Sequence, residues 1–393
     1  MKVILLGQAP LPSSTIPFCT FPQLRTWSMF EWLKNLAKSN DLQLELQLLH
    51  DGSHPDGFNV HRIDDMQRLY ECVLDADAII TAGPFLPLFA LLHIPDSIPI
   101  WLDYPSDPLA DRHSKNTQAS IPQPEYQLIS ELTRFALHRS DAMGVISRRQ
   151  SFATLGQRLL LDCPDIPIKY VPIAYDFPHS QSSTVTVDST DVLISGSNNS
   201  WLDLDRLKHL LVNQRVHCTG MKVQHLIDKT LPPSWNDHGW LNENELHNII
   251  KTCKFGVWTD TKGVEPLLGS RTRALFYIWC GLTPIGDATT ELATELVKAN
   301  CMNTWTQDMP FTAINIVQAQ QFCAERYAPE KVYEPIEQWL QSPTLHHRVP
   351  STSTHDENIR LRKELQTIYN TKTWRWGSKI HRWIKQISST PHQ

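Results

Sequence analysis

Apolar side chains in the first 50 residues recur with two different periods. A short apolar run over 2–7 is followed by a segment over 24–37 in which large apolar side chains recur every three or four residues. Leucine then occupies every second position over 42–48. A period near 3.6 is typical of a helix and a period of two is typical of a strand, so the pattern predicts a β-α-β unit.

The same alternation continues to about residue 178. The pattern predicts strands over 78–82, 98–103, 142–146 and 169–173, and helices over 126–138 and 149–161. Strands that alternate with helices form parallel sheets with helices on both faces. Residues 1–178 are therefore predicted to form one Rossmann-like domain.

A second unit with the same pattern follows a polar segment. Residues 179–190 are rich in serine and threonine and lack a helical period, which is typical of a linker. The pattern then predicts strands over 192–195, 216–219 and 255–259, and helices over 202–211, 243–252 and 271–280. We predict a second Rossmann-like domain over 191–345 and a helical tail over 346–393. The expected fold class is α/β, with two doubly wound domains that face a cleft.

Composition and charge exclude several classes of protein. The 393 residues carry a net charge of -5, which argues against a nucleic-acid partner. The eight cysteines include no Cys-x-x-Cys pair, so neither a zinc knuckle nor a disulfide framework is indicated. The apolar run after Lys2 is too short for a signal peptide, and glycine and proline interrupt the run over 78–95, so no membrane span is predicted there. We expect a cytoplasmic protein that can work at the inner face of a membrane.

The stretch over 263–284 predicts a helix that starts directly after a loop. A buried strand is expected to end near Asp260, Ser270 is a good helix N-cap, and Gly281 is a typical helix end. The N-terminus of a helix offers backbone N–H groups and a partial positive charge to an anion. The stretch is therefore a candidate phosphate site.

Two arginines and a glutamate make this candidate more specific. Arg271 and Arg273 oppose the helix dipole, so we expect their guanidinium groups to bind a diphosphate, with Glu265 beside the sugar that it carries. The spacing is equally compatible with solvated arginines at a helix start and with a glutamate in an ordinary turn.

Five segments follow one another in the order found in a known family. They are Ser-Arg-Arg-Gln at 147–150, the Gly-Ser-Asn-Asn-Ser region at 195–205, His-Gly-Trp-Leu at 238–241, the stretch over 263–284 with Gly-Ser-Arg-Thr-Arg, and Trp-Arg-Trp-Gly at 374–377. Together they resemble GT-B glycosyltransferases, specifically the family-4-like group of bacterial surface-polysaccharide synthesis. The resemblance implies transfer of a sugar from a nucleotide diphosphate sugar to a hydroxyl of a glycan or lipid-linked acceptor. It also implies retention of anomeric configuration without a metal or cofactor.

The resemblance assigns roles to individual residues. Glu265 would orient the donor sugar, while Arg271 and Arg273 would stabilise the charge that develops on the diphosphate. On the acceptor side we select Arg25, which begins a predicted helix, and Asp103, at the end of a predicted strand. The expected donor-binding residues are Ser197, Asn198, Asn199, Gly220, Lys262, Gly269, Ser270 and Thr272.

The sequence departs from the family pattern in two respects. No carboxylate occupies 274–277, where many related enzymes place a second glutamate for the ribose, and the usual lysine-rich phosphate loop is missing. Two alternatives therefore stay open: a degenerate GT-B protein that binds a ligand or partner without turnover, and a sugar-nucleotide epimerase. Asn198 and Asn199 are also compatible with a purely structural role as helix caps.

The tail contains a basic amphipathic pattern over 372–387. Its apolar positions have helical spacing and alternate with basic residues; they are Ile380, Trp383, Ile384 and Ile387, with Lys379, Arg382 and Lys385 between them. Such a helix binds the surface of an anionic membrane, where a lipid-linked acceptor would be found. The alternative is that the tail packs against the protein.

Overall fold

A computed structural model describes most of the chain between residues 1 and 346. The described ranges are 1–9, 21–50, 60–62, 66–83, 86–115, 123–176, 190–196, 202–220, 231–305 and 311–346. The predictions for Ser197, Asn198 and Asn199, for most of the linker and for the tail over 372–387 therefore lie outside the described residues.

The first part of the chain builds a parallel sheet of seven strands. Its strands are β1 (Lys2–Gln8), β2 (Gln43–His50), β3 (Val60–Arg62), β4 (Ala78–Thr81), β5 (Ile100–Tyr104), β6 (Ala142–Val145) and β7 (Ile168–Tyr170). Its helices are α1 (Phe21–Ser39), α2 (Gln67–Val73), α3 (Leu86–Leu91), α4 (Pro108–Lys115), α5 (Gln123–Arg139) and α6 (Arg148–Leu160). The strand order is β3-β2-β1-β4-β5-β6-β7.

The second part builds a parallel sheet of six strands. Its strands are β8 (Val192–Ser195), β9 (Val216–Thr219), β10 (Trp235–Gly239), β11 (Phe255–Val257), β12 (Thr283–Gly286) and β13 (Asn303–Thr304). Its helices are α7 (Leu204–Leu210), α8 (Glu243–Ile250), α9 (Glu265–Leu268), α10 (Thr272–Trp279) and α11 (Glu291–Lys298). The strand order is β10-β9-β8-β11-β12-β13.

The predicted fold class is confirmed. Both sheets are parallel, and in each the strand order reverses at the first strand, which lies between the second and a later strand. Val3 and Leu5 of β1 pack in one apolar cluster, and Ile4 and Leu6 pack in another, so both faces of the first sheet are covered. Open sheets of this kind bind ligands beyond the carboxyl ends of their strands at the point of reversal.

The end of the described chain returns to the first sheet. Helices α12 (Ile316–Tyr327), α13 (Pro329–Val332) and α14 (Glu334–Leu340) follow the second sheet. The hydroxyl of Tyr333 donates to Ser28 at 2.9 Å, and the Trp339 ring lies 5.7 Å from the ring of Trp101. Residues that the sequence assigns to the second domain therefore pack on the first, because their apolar side chains complete its core.

The apolar run over 78–95 forms strand β4 and helix α3 rather than one long helix. Among the described residues, none of the helices has the length and apolar character needed to span a membrane.

Candidate functional site

The backbones of two glycines approach each other closely at the carboxyl edge of the second sheet. Gly196 follows β8 with a φ of 121°, and Gly220 follows β9 with a φ of 85°. A Cβ added to Gly220 would lie 3.0 Å from the carbonyl oxygen of Gly196. Positive φ and this close approach both require glycine, so the backbone itself forms the floor of the site.

A pocket opens above these glycines between a polar wall and an apolar wall. The polar wall includes Ser195 and Thr219, and the apolar wall includes Trp240, Leu241 and Leu246. The Thr219 side chain is buried, and its hydroxyl has no hydrogen-bond partner among the described residues. Trp240 is 45% exposed, so its ring is available to a ligand.

The apolar wall is held by a helix cap. Asn242 accepts a hydrogen bond from the N–H of Glu245 at 2.9 Å, and the Glu245 carboxylate accepts from the N–H of Asn242 at 3.0 Å. This capping box fixes the start of α8 and, with it, the preceding residues Trp240 and Leu241. The pocket wall is therefore preorganised.

Arg273 lies beside the glycine floor. A Cβ added to Gly196 would lie 3.0 Å from Nη2 of Arg273. Burial lowers the pKa of Arg273, and Arg271 lowers it further, while Tyr277, Asp260 and Glu265 oppose the shift. The structure therefore places this predicted residue beside Gly196, whose backbone in turn lies against Gly220.

The side chain of Arg271 points into a buried ion-pair cluster. Its Nε donates to Asp260 Oδ1 at 2.6 Å, and its Nη1 and Nη2 donate to Glu265 Oε1 and Oε2 at 3.3 and 3.1 Å. Burial would lower the pKa of Arg271, but Glu265 and Asp260 raise it above its ordinary value. Direct contact of this guanidinium with a diphosphate would require the ion pairs to break, and the predicted role of Arg271 stays a prediction.

The carboxylate of Glu265 packs against Gly269 and Arg271. Glu265 begins α9, a turn that the sequence interpretation treats as a loop, and is 9% exposed. A Cβ added to Gly269 would lie 2.6 Å from Glu265 Oε1, so Gly269 leaves the space into which this carboxylate folds. The predicted donor-binding role of Gly269 is thus accompanied by a packing role that the sequence did not indicate.

The predicted cap of α10 is wrong by one residue. Arg271, without a capping hydrogen bond from its side chain, occupies the N-cap position, and the helix begins at Thr272. The hydroxyl of Ser270 is buried and has no hydrogen-bond partner among the described residues. Lys262 is exposed and Thr272 is partly buried, and the donor-binding roles of these three residues remain predictions.

Asp260 and Asp287 join the loops after β11 and β12. The N–H of Asp260 donates to Asp287 Oδ2 at 2.7 Å, and Arg206 Nη1 donates to the same oxygen at 2.8 Å. Burial raises the pKa of Asp260, while Arg271 lowers it. The sequence interpretation missed Asp260 as a partner of Arg271, and spacing alone could not reveal it.

The two acceptor-side candidates bind each other. Arg25 donates through Nε and Nη2 to the carboxylate oxygens of Asp103 at 3.0 and 2.7 Å, and it also binds the carbonyl oxygens of Val171 and Pro172. Both side chains are completely buried. The two charges neutralise each other inside the first domain, so contact with an acceptor would require this ion pair to open, and the acceptor-side role stays a prediction.

Comparisons with known proteins support the fold. The sequence matches no family model and no curated protein. The sucrose-phosphate synthase of Thermosynechococcus elongatus superposes with a TM-score of 0.61 at 10% identity, over 86% of this chain and 98% of that one. Anabaena HepE in complex with UDP-glucose gives 0.57 at 14% identity, over 87% and 100% of the two chains. AviGT4, a glycosyltransferase involved in avilamycin A biosynthesis, gives 0.53 at 11% identity, over 86% and 97%. This chain therefore has the GT-B fold that these glycosyltransferases share.

Proposed function

We propose that the protein transfers a glycosyl unit from a nucleotide diphosphate sugar to an acceptor hydroxyl. The observation that carries the proposal is the pocket at the carboxyl edge of β8 and β9, with its glycine floor, the exposed ring of Trp240 and the nearby guanidinium of Arg273. A flat heteroaromatic base suits the apolar wall, and phosphate oxygens suit backbone N–H groups and a cation. HepE, which shares the fold, binds UDP-glucose.

Within this pocket, we assign the base to the side of Trp240 and the phosphates to the side of Arg273. A base that stacks on Trp240 would direct its ribose toward Gly196 and Gly220, where the absence of side chains allows close approach. Thr219 would supply a hydroxyl to the polar edge of the nucleoside.

Cleavage of the anomeric bond leaves negative charge on the departing diphosphate. Arg273 would stabilise this charge as it develops, which is catalysis by a preorganised cation. Arg271 would act indirectly by holding Glu265 and Asp260 in place. We infer that Glu265 orients the donor sugar from the edge of this cluster, and that the departing phosphate helps to deprotonate the acceptor with retention of configuration.

The acceptor is proposed to be a glycan or a lipid-linked glycan of surface-polysaccharide synthesis. It would enter between the two sheets, opposite the donor pocket. The basic segment over 372–387, which lies outside the described residues, would bring the protein to an anionic membrane.

A panel of nucleotide sugars tests the proposal. One donor is expected to raise the melting temperature of the protein and to be hydrolysed slowly to free sugar and nucleoside diphosphate. Arg273→Gln is expected to weaken binding of that donor roughly tenfold to a hundredfold, the range of a lost charge-assisted hydrogen bond. Lys262→Gln removes an exposed cation and is the matched control, for which we expect a smaller decrease in donor affinity. If no donor binds and none is hydrolysed, the proposal fails.

One observation favours a second function, in which the protein binds a nucleotide sugar without transferring it. Both carboxylate oxygens of Glu265 accept hydrogen bonds from Arg271, and in this alternative the ion pair persists and keeps the carboxylate from the sugar. This alternative predicts saturable donor binding with no hydrolysis and no product in the presence of any acceptor. Product analysis after prolonged incubation separates the two functions.

A further inference from the structure

Helix α6 of the first domain begins against the turn that carries Glu265. Ser147 is the N-cap of α6, and its hydroxyl oxygen accepts a hydrogen bond from the N–H of Gln150 at 3.0 Å. The same hydroxyl donates to the carbonyl oxygen of Leu268 at 2.6 Å. Leu268 is the last residue of α9, which Glu265 begins. One side chain therefore links the two halves of the fold at the candidate site.

This donated bond exceeds what a helix cap requires. A cap needs only an oxygen that accepts from the first turn, and glycine replaces a capping serine at a cost of a few tenths of a kcal/mol. Ser147 is buried, and both of its hydrogen-bonding functions are used. The donation to Leu268 is thus a separate property of this residue.

The α9 turn is tight enough to transmit a displacement of Leu268 to Glu265. The N–H of Gly269 donates to the carbonyl oxygen of Glu265 at 2.7 Å, and the Glu265 carboxylate folds over Gly269. Glu265 in turn holds Arg271, the residue directly before α10. A shift at the end of α9 would therefore move the acid and the helix start that lie beside the pocket.

A second set of contacts fixes α6 on the second domain. The N–H groups of Arg148 and Arg149 donate to Glu291 Oε2 at 2.8 and 3.2 Å, and Arg149 Nη1 donates to the carbonyl oxygen of Thr289 at 2.8 Å. Glu291 lies in α11, away from α9. The start of α6 thus docks at two places, and of the hydrogen bonds described here the one from Ser147 is made to the Glu265 turn.

We propose that Ser147 is a positioning residue for glycosyl transfer, which acts through the carbonyl of Leu268 to set the α9 turn and Glu265. The first domain then completes the transfer site of the second domain by direct contact. This proposal rests on the proposed function, since it assigns a role in the same reaction. Ser147 touches neither the donor pocket nor its glycine floor, so it is expected to affect turnover and not nucleotide binding.

The first test compares Ser147→Gly with Ser147→Thr. The glycine variant keeps most of the capping stability and loses the donated bond, whereas threonine retains both functions. We expect Ser147→Gly to lower kcat for donor hydrolysis on the order of tenfold to a hundredfold, the effect of misplacing a group by about 1 Å. The Kd of the nucleotide should change less than about twofold, or 0.4 kcal/mol. Ser147→Thr should restore most of the turnover.

Ser151→Ala is the matched control, because the Ser151 hydroxyl donates only to Arg148 within α6. An unchanged kcat in Ser147→Gly, or a Kd that weakens in parallel with kcat, overturns the proposal. A wild-type protein that binds no nucleotide is a failure of the proposed function instead.

Hydrogen exchange tests the positioning step without turnover. The amides of 267–269 should exchange faster in Ser147→Gly than in the wild type and in Ser151→Ala, since the carbonyl of Leu268 loses its hydrogen bond from the first domain. Equal exchange in all three proteins would also overturn the proposal.

Discussion

Arg25 in the first domain and Arg271 in the second are both buried near the carboxyl ends of their sheets, but the two arginines have different surroundings. Arg25 meets one carboxylate, Asp103, and two backbone carbonyl groups. Arg271 meets two carboxylates, Asp260 and Glu265. The first cluster is balanced in charge, whereas the second holds one acid more than it holds cations.

The excess acid of the second cluster lies near the donor pocket. Arg273 follows Arg271 by two residues, and the negative charges of Asp260 and Glu265 raise its pKa against the effect of burial. The Arg273 guanidinium lies beside Gly196 at the pocket floor. The first cluster has no such neighbour among the described residues. A buried ion pair can therefore stabilise a domain core or support a ligand site, depending on the groups beside it.

The largest expected effect on stability comes from Arg271→Met. The change leaves Asp260 and Glu265 buried side by side without their cation, and breaking a buried pair costs about 5 kcal/mol at the upper end of measured values. Urea unfolding followed by circular dichroism measures the loss.

The double variant Arg271→Met with Glu265→Gln is the control for charge. It should recover part of the stability, because one of the two stranded carboxylates is removed. If the single and double variants are equally stable, the ion pairs do not hold the loop and our account of the cluster is wrong.

For Arg25→Met we expect a smaller decrease in the free energy of unfolding, about 3 kcal/mol. Asp103 keeps a hydrogen bond from the N–H of Gly83 at 3.3 Å, so its carboxylate is less isolated than the two acids of the other cluster. Nucleotide affinity should remain that of the wild type in the folded fraction, since Arg25 lies in the first domain. Calorimetry on this variant sharpens the comparison, and weakened nucleotide binding would mean that the two clusters are not independent.

Much of the fold follows from the sequence because its strands are apolar and short. Strands β8 and β9 have the predicted bounds, and α1 and α5 extend the predicted helices by a few residues. Strands β3 and β10 were not predicted. Strand β3 has only three residues, and β10, Trp-Asn-Asp-His-Gly, is mostly polar and lies at the edge of its sheet. Edge strands need not be apolar on both faces.

The ion pairs around the candidate site could not be predicted from the sequence, and the roles of its residues remain predictions. The sequence places Glu265, Arg271 and Arg273 after a buried strand, and in the structure Arg273 lies beside Gly196 at the pocket floor. It could not show that Arg271 turns away toward Asp260, because the partner of a buried charge depends on packing and not on local spacing. Trp240 was noticed only as part of a motif, and its exposure became apparent from the fold.

The smallest effect is expected from a histidine pair at the edge of the second sheet. His238 Nε2 lies 2.9 Å from His217 Nδ1, and His217 Nε2 lies 3.3 Å from Asp191. In the first sheet, by contrast, His61 contacts the neutral Gln47 at 2.7 Å. The two edges therefore place different partners beside their histidines.

Burial lowers the pKa of His238, and His217 lowers it further, while the Asp237 carboxylate raises it by a smaller amount. Because the unfolded chain binds this proton more readily, stability should fall as the pH drops below about 6.5 toward the lowered value. His238→Gln should make unfolding free energy less dependent on pH between 7 and 5. An identical pH dependence in both proteins would show that the pair does not contribute.

The most direct test of the central claim is the Kd of the nucleotide product of the active donor, measured by calorimetry for the wild type and Trp240→Ala. The Trp240 side chain is exposed, so its removal should leave the fold intact. Loss of a stacking partner costs about 1–3 kcal/mol, so the account predicts binding weaker by roughly fivefold to a hundredfold. Equal affinity in the two proteins would place the nucleotide elsewhere and contradict the account.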